Sequence, residues 1–391
     1  MIKRKLASEL KNVANQFPVV AVLGPRQSGK TTLTKMTFKK YAYVSLEELD
    51  NQENATSDPR HFLESLKNKH GIILDEIQNT PGLLSYIQTY VDEHKKPGYF
   101  ILTGSHNILL NEAISQTLAG RVALLTLLPL SIGELSQAKL LTQNLEKIMF
   151  TGCYPRIYDE KIQPQKWYAN YIRTYIERDV RMLKNVSSLS LFQKFIKLCA
   201  GRIGQLVNFT SLGNDCGVSA TTVRDWLSIL ESSYIVFLLR PHHKNFNKRL
   251  VKTPKLYFYD TGLACSLLEM DDEKELHTSY LRGNLFESFV ISEFIKNRYN
   301  RDLRPNLYFW RDKQGHEVDC IIEKGTRLTP IEIKVAKTLN ASFFDELKYW
   351  NELAHSEAKN SFLIYGGKEK HVRFGIKAFG WQSLTSVFLK S

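Results

Sequence analysis

Two stretches of this sequence gather residue types that act on phosphate. The first, GPRQSGKTT, lies between the β-rich run PVVAVLG and a helix-like run. It fits G-x-x-x-x-G-K-[ST], in which glycines let the backbone curl until successive N–H groups face phosphate oxygens. The helix that follows adds its partial positive charge. Gly24, Pro25, Arg26, Gln27, Ser28, Gly29, Lys30, Thr31 and Thr32 are therefore the expected cradle of a nucleotide. Lys30 would reach the β and γ phosphates, and the Thr31 hydroxyl would ligate Mg²⁺. The run GIILDEIQ supplies the next parts. Asp75, on a strand expected beside the first, would hold the magnesium, and Glu76 would orient or deprotonate the attacking water. In YFILTGSHN, Ser105 or Asn107 would touch the γ-phosphate or the water; such residues also simply form turns.

The second stretch is GHEVDCIIEKGTRLTPIEIK. An acid-x-lysine triplet occurs seven times in the chain, but only the one ending at Lys334 lies in a β-rich run preceded by another, EVDCIIE. Residues two apart on a strand share a face, so Glu332 and Lys334 project together. If the two runs pair as a hairpin, Asp319 joins them. Hard carboxylate oxygens suit Mg²⁺ or Mn²⁺, which would polarise a phosphodiester, while Lys334 would stabilise the developing negative charge. Upstream, GNLFESFVISEFIKN reads as a helix with Glu287 on a mainly apolar stretch. A charged hairpin with no catalytic role is the plainer alternative.

These residues need elements to position them. PVVAVLG, YAYVSL, GIILD, YFILT and VALLTLL read as strands separated by helical runs, the alternation of a parallel α/β sheet. From 136 to 187 the pattern is helical, and Arg173, Arg178 and Arg181 fit a solvated face, an interface or, for Arg178, a finger for a neighbouring subunit. TSLGNDCGVSATTVRDWLSILESS then reads as a short helix ending at Gly217, a turn, and a second helix capped by Ser219. Thr221, Thr222, Arg224 and Asp225 would face outward. The following basic, acid-free stretch, with Lys244, Lys248, Arg249 and Lys252, suits a wing laid along a phosphate backbone. Winged helices also serve simply to join domains.

Composition bounds the reading. At 391 residues the chain is long enough for two or three domains, and 43% hydrophobic with 24% charged residues is ordinary globular usage. With 53 Lys and Arg against 40 Asp and Glu, the net charge of +13 favours a polyanionic partner. Five scattered cysteines without a C-x-x-C pair point away from a disulfide framework or zinc site and toward a reducing compartment. The opening MIKRKLASELKNVANQF is too polar for a signal peptide, and the run at 122–132 falls short of the roughly 20 residues of a membrane span. A cytoplasmic location without membrane contact is expected.

GPRQSGKT, DEIQ, LTGS and LAGRVALLTLLPLSIGEL together resemble the prokaryotic AAA-type ATPases that carry a C-terminal DUF4143-like domain. The resemblance implies ATP as ligand, and it makes Arg121 of LAGR a sensor or arginine finger. A surface arginine at a helix end is the alternative. Glu287, Asp319, Glu332 and Lys334 resemble the helix-acid, D, E-x-K arrangement of the PD-(D/E)XK nuclease superfamily, with EVD in place of its proline-aspartate pair. That resemblance makes Glu287, Asp319 and Glu332 metal ligands and Lys334 catalytic, although such a fold also serves as a binding scaffold without cleavage. The expected α/β architecture is a P-loop NTPase parallel sheet at 1–135, a helical section at 136–187, a winged-helix-like domain at 188–256, and an α/β restriction-endonuclease-like domain at 257–391. The function implied is an ATP-hydrolysing, DNA-associated protein with a metal-dependent nuclease activity in its C-terminal domain; the alternative is an ATP-dependent DNA- or protein-binding regulatory switch on a catalytically inactive nuclease-like scaffold. A homo-oligomer would let a neighbour complete the nucleotide site.

Overall fold

The computed structural model describes residues 2–105, 113–114, 116–176, 188–243 and 250–384, apart from the side chains of 175 and 176. The expected Asn107, Arg178, Arg181, Lys244, Lys248 and Arg249 lie outside the described residues. The chain separates into two compact units. One runs to Leu130 and includes Ser232–Tyr234 and Arg298–Leu303; the other holds Ser131–Glu231, Ile235–Asn297 and Arg304–Ser391.

All five strand-like runs of the N-terminal third become strands: β1 (Val19–Gly24), β2 (Ala42–Ser45), β3 (Ile72–Asp75), β4 (Phe100–Ser105) and β5 (Val122–Thr126). They form a parallel sheet in the order β2-β3-β4-β1-β5. Strands β1, β3 and β4 are buried along their whole length. Covered on both faces, they read as continuous apolar runs with no polar alternation. Residues alternate between two cores. Val19, Ala21 and Leu23 face one that includes Leu83, Ile87 and Val91 of the helix Leu83–His94. Val20 and Val22 face the other, with Leu6, Leu10 and Val13 of the helix Leu6–Ala14 and Leu33 of the helix Lys30–Thr37. The strand of Asp75 is not beside the first strand, as the sequence suggested; β4 lies between β3 and β1.

In the second unit, the helices Leu189–Gly201, Phe209–Cys216 and Ala220–Ser232 precede an antiparallel pair, β6 (Val236–Leu239) and β7 (Lys255–Phe258). Leu206 adds an antiparallel bridge to Lys255. Helix Arg282–Tyr299 is followed by β8 (Leu307–Arg311), β9 (Glu317–Lys324) and β10 (Arg327–Lys334), then by helix Asp345–Ala354, β11 (Phe362–Tyr365), β12 (Lys370–Arg373) and β13 (Ile376–Gly380). Six strands form a mixed sheet ordered β12-β13-β11-β10-β9-β8. Neighbours β8, β9 and β10 are antiparallel, while β10, β11 and β13 run parallel.

The basic connection between β6 and β7 departs from a free wing. Pro241 pairs with Phe309, and the His242 N–H donates to the Phe309 carbonyl at 2.7 Å. At the other end Leu250 pairs with Asp312, and the Val251 N–H donates to the Arg311 carbonyl at 3.0 Å. Both described ends lie against the edge strand β8, satisfying backbone groups that the edge would otherwise expose. Lys252 stays exposed.

All five cysteines are buried and unbridged. No helix among the described residues is long and apolar enough to cross a membrane.

Candidate nucleotide site and buried acid cluster

The phosphate loop leaves β1 at Gly24 (φ 153°), where a Cβ would overlap the Leu127 carbonyl, and enters its helix at Gly29 (φ 93°). Only glycine combines that close approach with those angles cheaply. Pro25 and Ser28 are buried, Arg26, Gln27 and Thr31 half-buried, and Thr32 exposed. Lys30 Nζ lies over the loop, 3.2 Å from the Gly24 carbonyl and 2.9 Å from that of Pro25. Arg4, not anticipated from sequence, fixes the loop from behind. Its guanidinium donates to the carbonyls of Ser28 and Leu128, each at 2.6 Å.

Although β3 is one strand farther from β1 than expected, Asp75 still meets the loop. The Thr31 hydroxyl donates to both of its carboxylate oxygens, at 3.0 and 2.9 Å. The Tyr43 hydroxyl donates at 2.9 Å, and Thr103 also donates to Asp75. Burial first, then the charge of Asp75, pushes the Tyr43 phenol up, so it remains a donor. Glu76 sits next to this group in a left-handed conformation, φ 59°. Burial works against its ionisation, but Lys30, Gln78 and Arg26 prevail and hold its carboxyl below the usual range. Ser105 donates to Glu76 Oε2 through its N–H at 3.3 Å and its hydroxyl at 3.2 Å. Ser105 therefore positions the Glu76 carboxylate.

The residues fit a magnesium nucleotide. Thr31 and Asp75 place hard oxygens together, and the buried Ser28 hydroxyl in the loop has no hydrogen-bond partner among the described residues. Magnesium would neutralise phosphate charge as it builds up, and an ionised Glu76 would be available to take a proton from water. Arg121 is not brought to this end of the sheet. It directly precedes β5, whose first residue pairs with Val19 at the start of β1, opposite the loop. There it grips Asp92 through Nε at 2.6 Å and an Nη at 2.8 Å. The expectation of a sensor for the chain's own site is corrected accordingly.

In the second unit, β9 and β10 pair as the expected hairpin, with Cys320 opposite Ile331. This brings Asp319 to β10, where its Oδ2 accepts the Ile333 N–H at 2.8 Å and lies 3.9 Å from Lys334 Nζ. Lys334 pairs directly with buried Glu332. Glu287 projects from its helix into the same place. The carboxylates whose oxygens converge are not the expected three. They are Glu287, Glu317 and Asp319, with ligand atoms within 4.8 Å of one another. Glu332 Oε1 pairs instead with Lys334, while its buried Oε2 has no hydrogen-bond partner among the described residues.

A lysine from outside the motif enters this cluster. Lys255 Nζ lies 3.1 Å from Glu287 Oε1 and also pairs with Glu317, whose other oxygen is 3.2 Å from Arg311. Burial disfavours the Lys255 ammonium, but Glu287, Glu317 and Asp319 outweigh it and raise its pKa. Burial, against the pull of Lys255, pushes Glu287 up to about 7; burial and Asp319 raise Glu332 despite Lys334. The donor set is of the right kind for a hard divalent ion, but it already contains a cation of its own. Glu317 was legible as the first letter of EVD; nothing local marked Lys255.

Residues 209–232 form two helices joined by a tight turn. Gly217 closes the first helix at φ 84°, the Ser219 hydroxyl accepts the Thr222 N–H at 3.1 Å, and Val223, Trp226, Leu227 and Leu230 pack inward. Thr221, Arg224 and Asp225 are exposed, Thr222 half-buried, and Arg224 lies 4.9 Å from the Phe209 ring.

Comparison with known proteins divides the chain into three blocks: an AAA domain over residues 16–136, a domain of unknown function (DUF8612) over 142–274, and another (DUF4143) over 282–383. Uncharacterized protein Rv2008c of Mycobacterium tuberculosis and its counterpart Mb2031c of Mycobacterium bovis are each 30% identical over 345 residues. The match covers 87% of this chain and 75% of either relative. The chain belongs to their family. It is an ATPase with an AAA-type P-loop domain and a distinct C-terminal DUF4143 domain. Binding of Mg-ATP is typical of that domain. Among solved structures, a Walker-type ATPase of Pyrococcus abyssi is similar at 15% identity and a TM-score of 0.46, covering 68% of this chain and 96% of that one. The Thermotoga maritima RuvB Holliday junction branch migration motor is similar at 17% and 0.33, covering 61% and 90%. At such scores the fold rests on the sheet order and the family match.

Proposed function

We propose that this ATPase is a DNA-associated regulatory switch. ATP binding and hydrolysis at Lys30, Thr31, Asp75 and Glu76 would control a DNA-bound state, and the C-terminal domain would act as a nuclease-like scaffold. The observation that carries the DNA reading is the capped helix Ala220–Ser232, with its apolar side packed and Thr221, Arg224 and Asp225 exposed. A winged-helix docking mode would place such a face in a groove. The net charge of +13 supports a polyanionic partner.

DNA affinity should fall steeply with salt, with a log–log slope of roughly −0.9 for each phosphate neutralised. Arg224→Ala combined with Lys252→Ala should weaken binding and flatten that slope, read by fluorescence anisotropy across a salt series. An unchanged slope would place the DNA elsewhere. A second reading, metal-dependent cleavage, is favoured by the convergence of Glu287, Glu317 and Asp319 where one helix meets one hairpin, with the Glu332–Lys334 pair beside Asp319. Incubation with branched, duplex and single-stranded DNA, with and without ATP and Mn²⁺, separates the two. Substrate left intact but bound supports the switch; Mn²⁺-dependent strand loss abolished by Asp319→Ala supports cleavage.

A further inference from the structure

We propose that the ammonium of Lys255 is the resident cation of the C-terminal acid cluster, so that the cluster takes no divalent metal while that side chain is in place. The inference deepens the scaffold reading above and rests on it.

The argument begins with the root of the side chain. Lys255 opens β7, where its backbone pairs with Leu239 on one side and bridges to Leu206 on the other. A residue held from both sides cannot swing its Cα away without breaking the small sheet. Its side chain is 5% exposed and runs past the Phe309 ring, 5.5 Å from its centroid. The ammonium therefore has no route to bulk solvent that preserves this packing. A lysine stem usually keeps its charged end in water. Here the charge is directed inward.

The oxygens it meets are those a metal would need. Glu287 Oε1 accepts from Lys255 and from the Tyr257 hydroxyl. Glu317 Oε1 pairs with Lys255, and its Oε2 with Arg311. Asp319 Oδ2 accepts the Ile333 N–H. The three convergent carboxylates thus already share N–H and O–H donors among the very atoms that would coordinate Mg²⁺ or Mn²⁺. A divalent ion placed among them would sit beside a buried positive charge, a repulsion strengthened where water is excluded. It would also take acceptors from buried donors, leaving the Lys255 ammonium uncompensated. Lys334, the lysine of the E-x-K triplet, answers Glu332 and stands 3.9 Å from Asp319, so it does not substitute for Lys255 at Glu287 or Glu317.

The tethered cation has a structural counterpart. It ties β7 to the helix bearing Glu287 and to the first residue of β9, so the strand that follows the helix-turn-helix is pinned to the DUF4143 sheet by charge.

The test is Mn²⁺ titration of the full chain by calorimetry and by the electron-spin signal of free Mn²⁺, without nucleotide or DNA. Failure here is thus distinct from failure of the DNA reading. Wild type should show no Mn²⁺ site that Asp319→Asn removes. Lys255→Met, close in length but uncharged, should gain one Mn²⁺ per chain, and the double variant Lys255→Met/Asp319→Asn should lose it. ATPase activity and near-ultraviolet circular dichroism report whether Lys255→Met is folded; Lys255→Gln serves if it is not. A wild-type Mn²⁺ site abolished by Asp319→Asn overturns the proposal outright, whatever the variants do. So does a folded Lys255→Met or Lys255→Gln chain that gains none.

Discussion

Glu76 joins an unusual backbone angle to a lowered pKa, and the lowered pKa keeps a carboxylate ionised beside the phosphate loop. The sign follows from the shift. A carboxyl held below its ordinary value stays deprotonated as pH falls to the usual carboxylate range, so Glu76 should remain ionised across the neutral and mildly acidic range. Glu76→Gln should retain ATP binding yet slow hydrolysis on the order of 10²-fold or more, because the amide cannot accept the proton. Lys30→Ala should lose tight ATP binding altogether. Calorimetry with ATP and steady-state phosphate release distinguish the two variants; parental turnover in Glu76→Gln would remove it as the base. Lys30 and Thr31 could be picked out in the sequence because the loop motif fixes their spacing, and Asp75 and Glu76 because they end an apolar strand. Tyr43, Thr103 and Arg4 could not, since each is a lone polar residue brought in by sheet pairing or tertiary packing.

Among the elements, the strands were legible and their order was not. Continuous apolar runs mark buried parallel strands, but no run states its neighbours, and so β4 came between the two strands expected to be adjacent. The hairpin β9–β10 was legible because its turn is short and local; the arrival of Lys255 depends on a strand more than sixty residues upstream of β9's acids. Helix Leu145–Thr151 offers a measurable case of elements held together by charge. Its Glu146 accepts from Arg282 at 2.6 Å and lies 3.1 Å from His277 Nδ1, each on a different helix. Burial opposes ionisation, yet Arg282 and His277 hold the carboxyl down at about 2. This contribution is full above the ordinary carboxylate value and lost as pH falls toward the folded one. Glu146→Gln should be less stable than wild type at neutral pH and should lose less stability on acidification. Denaturant melts at a series of pH values read this directly; parallel acid profiles would show that the ion pairs contribute nothing.

For the molecule as a whole, composition pointed to several domains and a polyanionic partner, while the pairing of Pro241 and of Val251 with β8 was invisible, because edge-strand pairing leaves no local mark in sequence. The burial of every cysteine has a practical consequence. Each thiol is shut away from solvent, and burial pushes Cys153 up to about 12 and raises Cys199, Cys216, Cys265 and Cys320 as well. Disulfide exchange and alkylation need the thiolate and access to it. Native protein should therefore release almost no colour from Ellman's reagent, and all five thiols should react once guanidinium unfolds it. Rapid reaction of the native chain would contradict the packing. If the thiols are silent, a cysteine introduced at exposed Ser228 becomes a unique address for a fluorophore, with no need to remove the natural ones. The chain would then carry its own blank background for optical measurement of the helix Ala220–Ser232 as nucleotide is added.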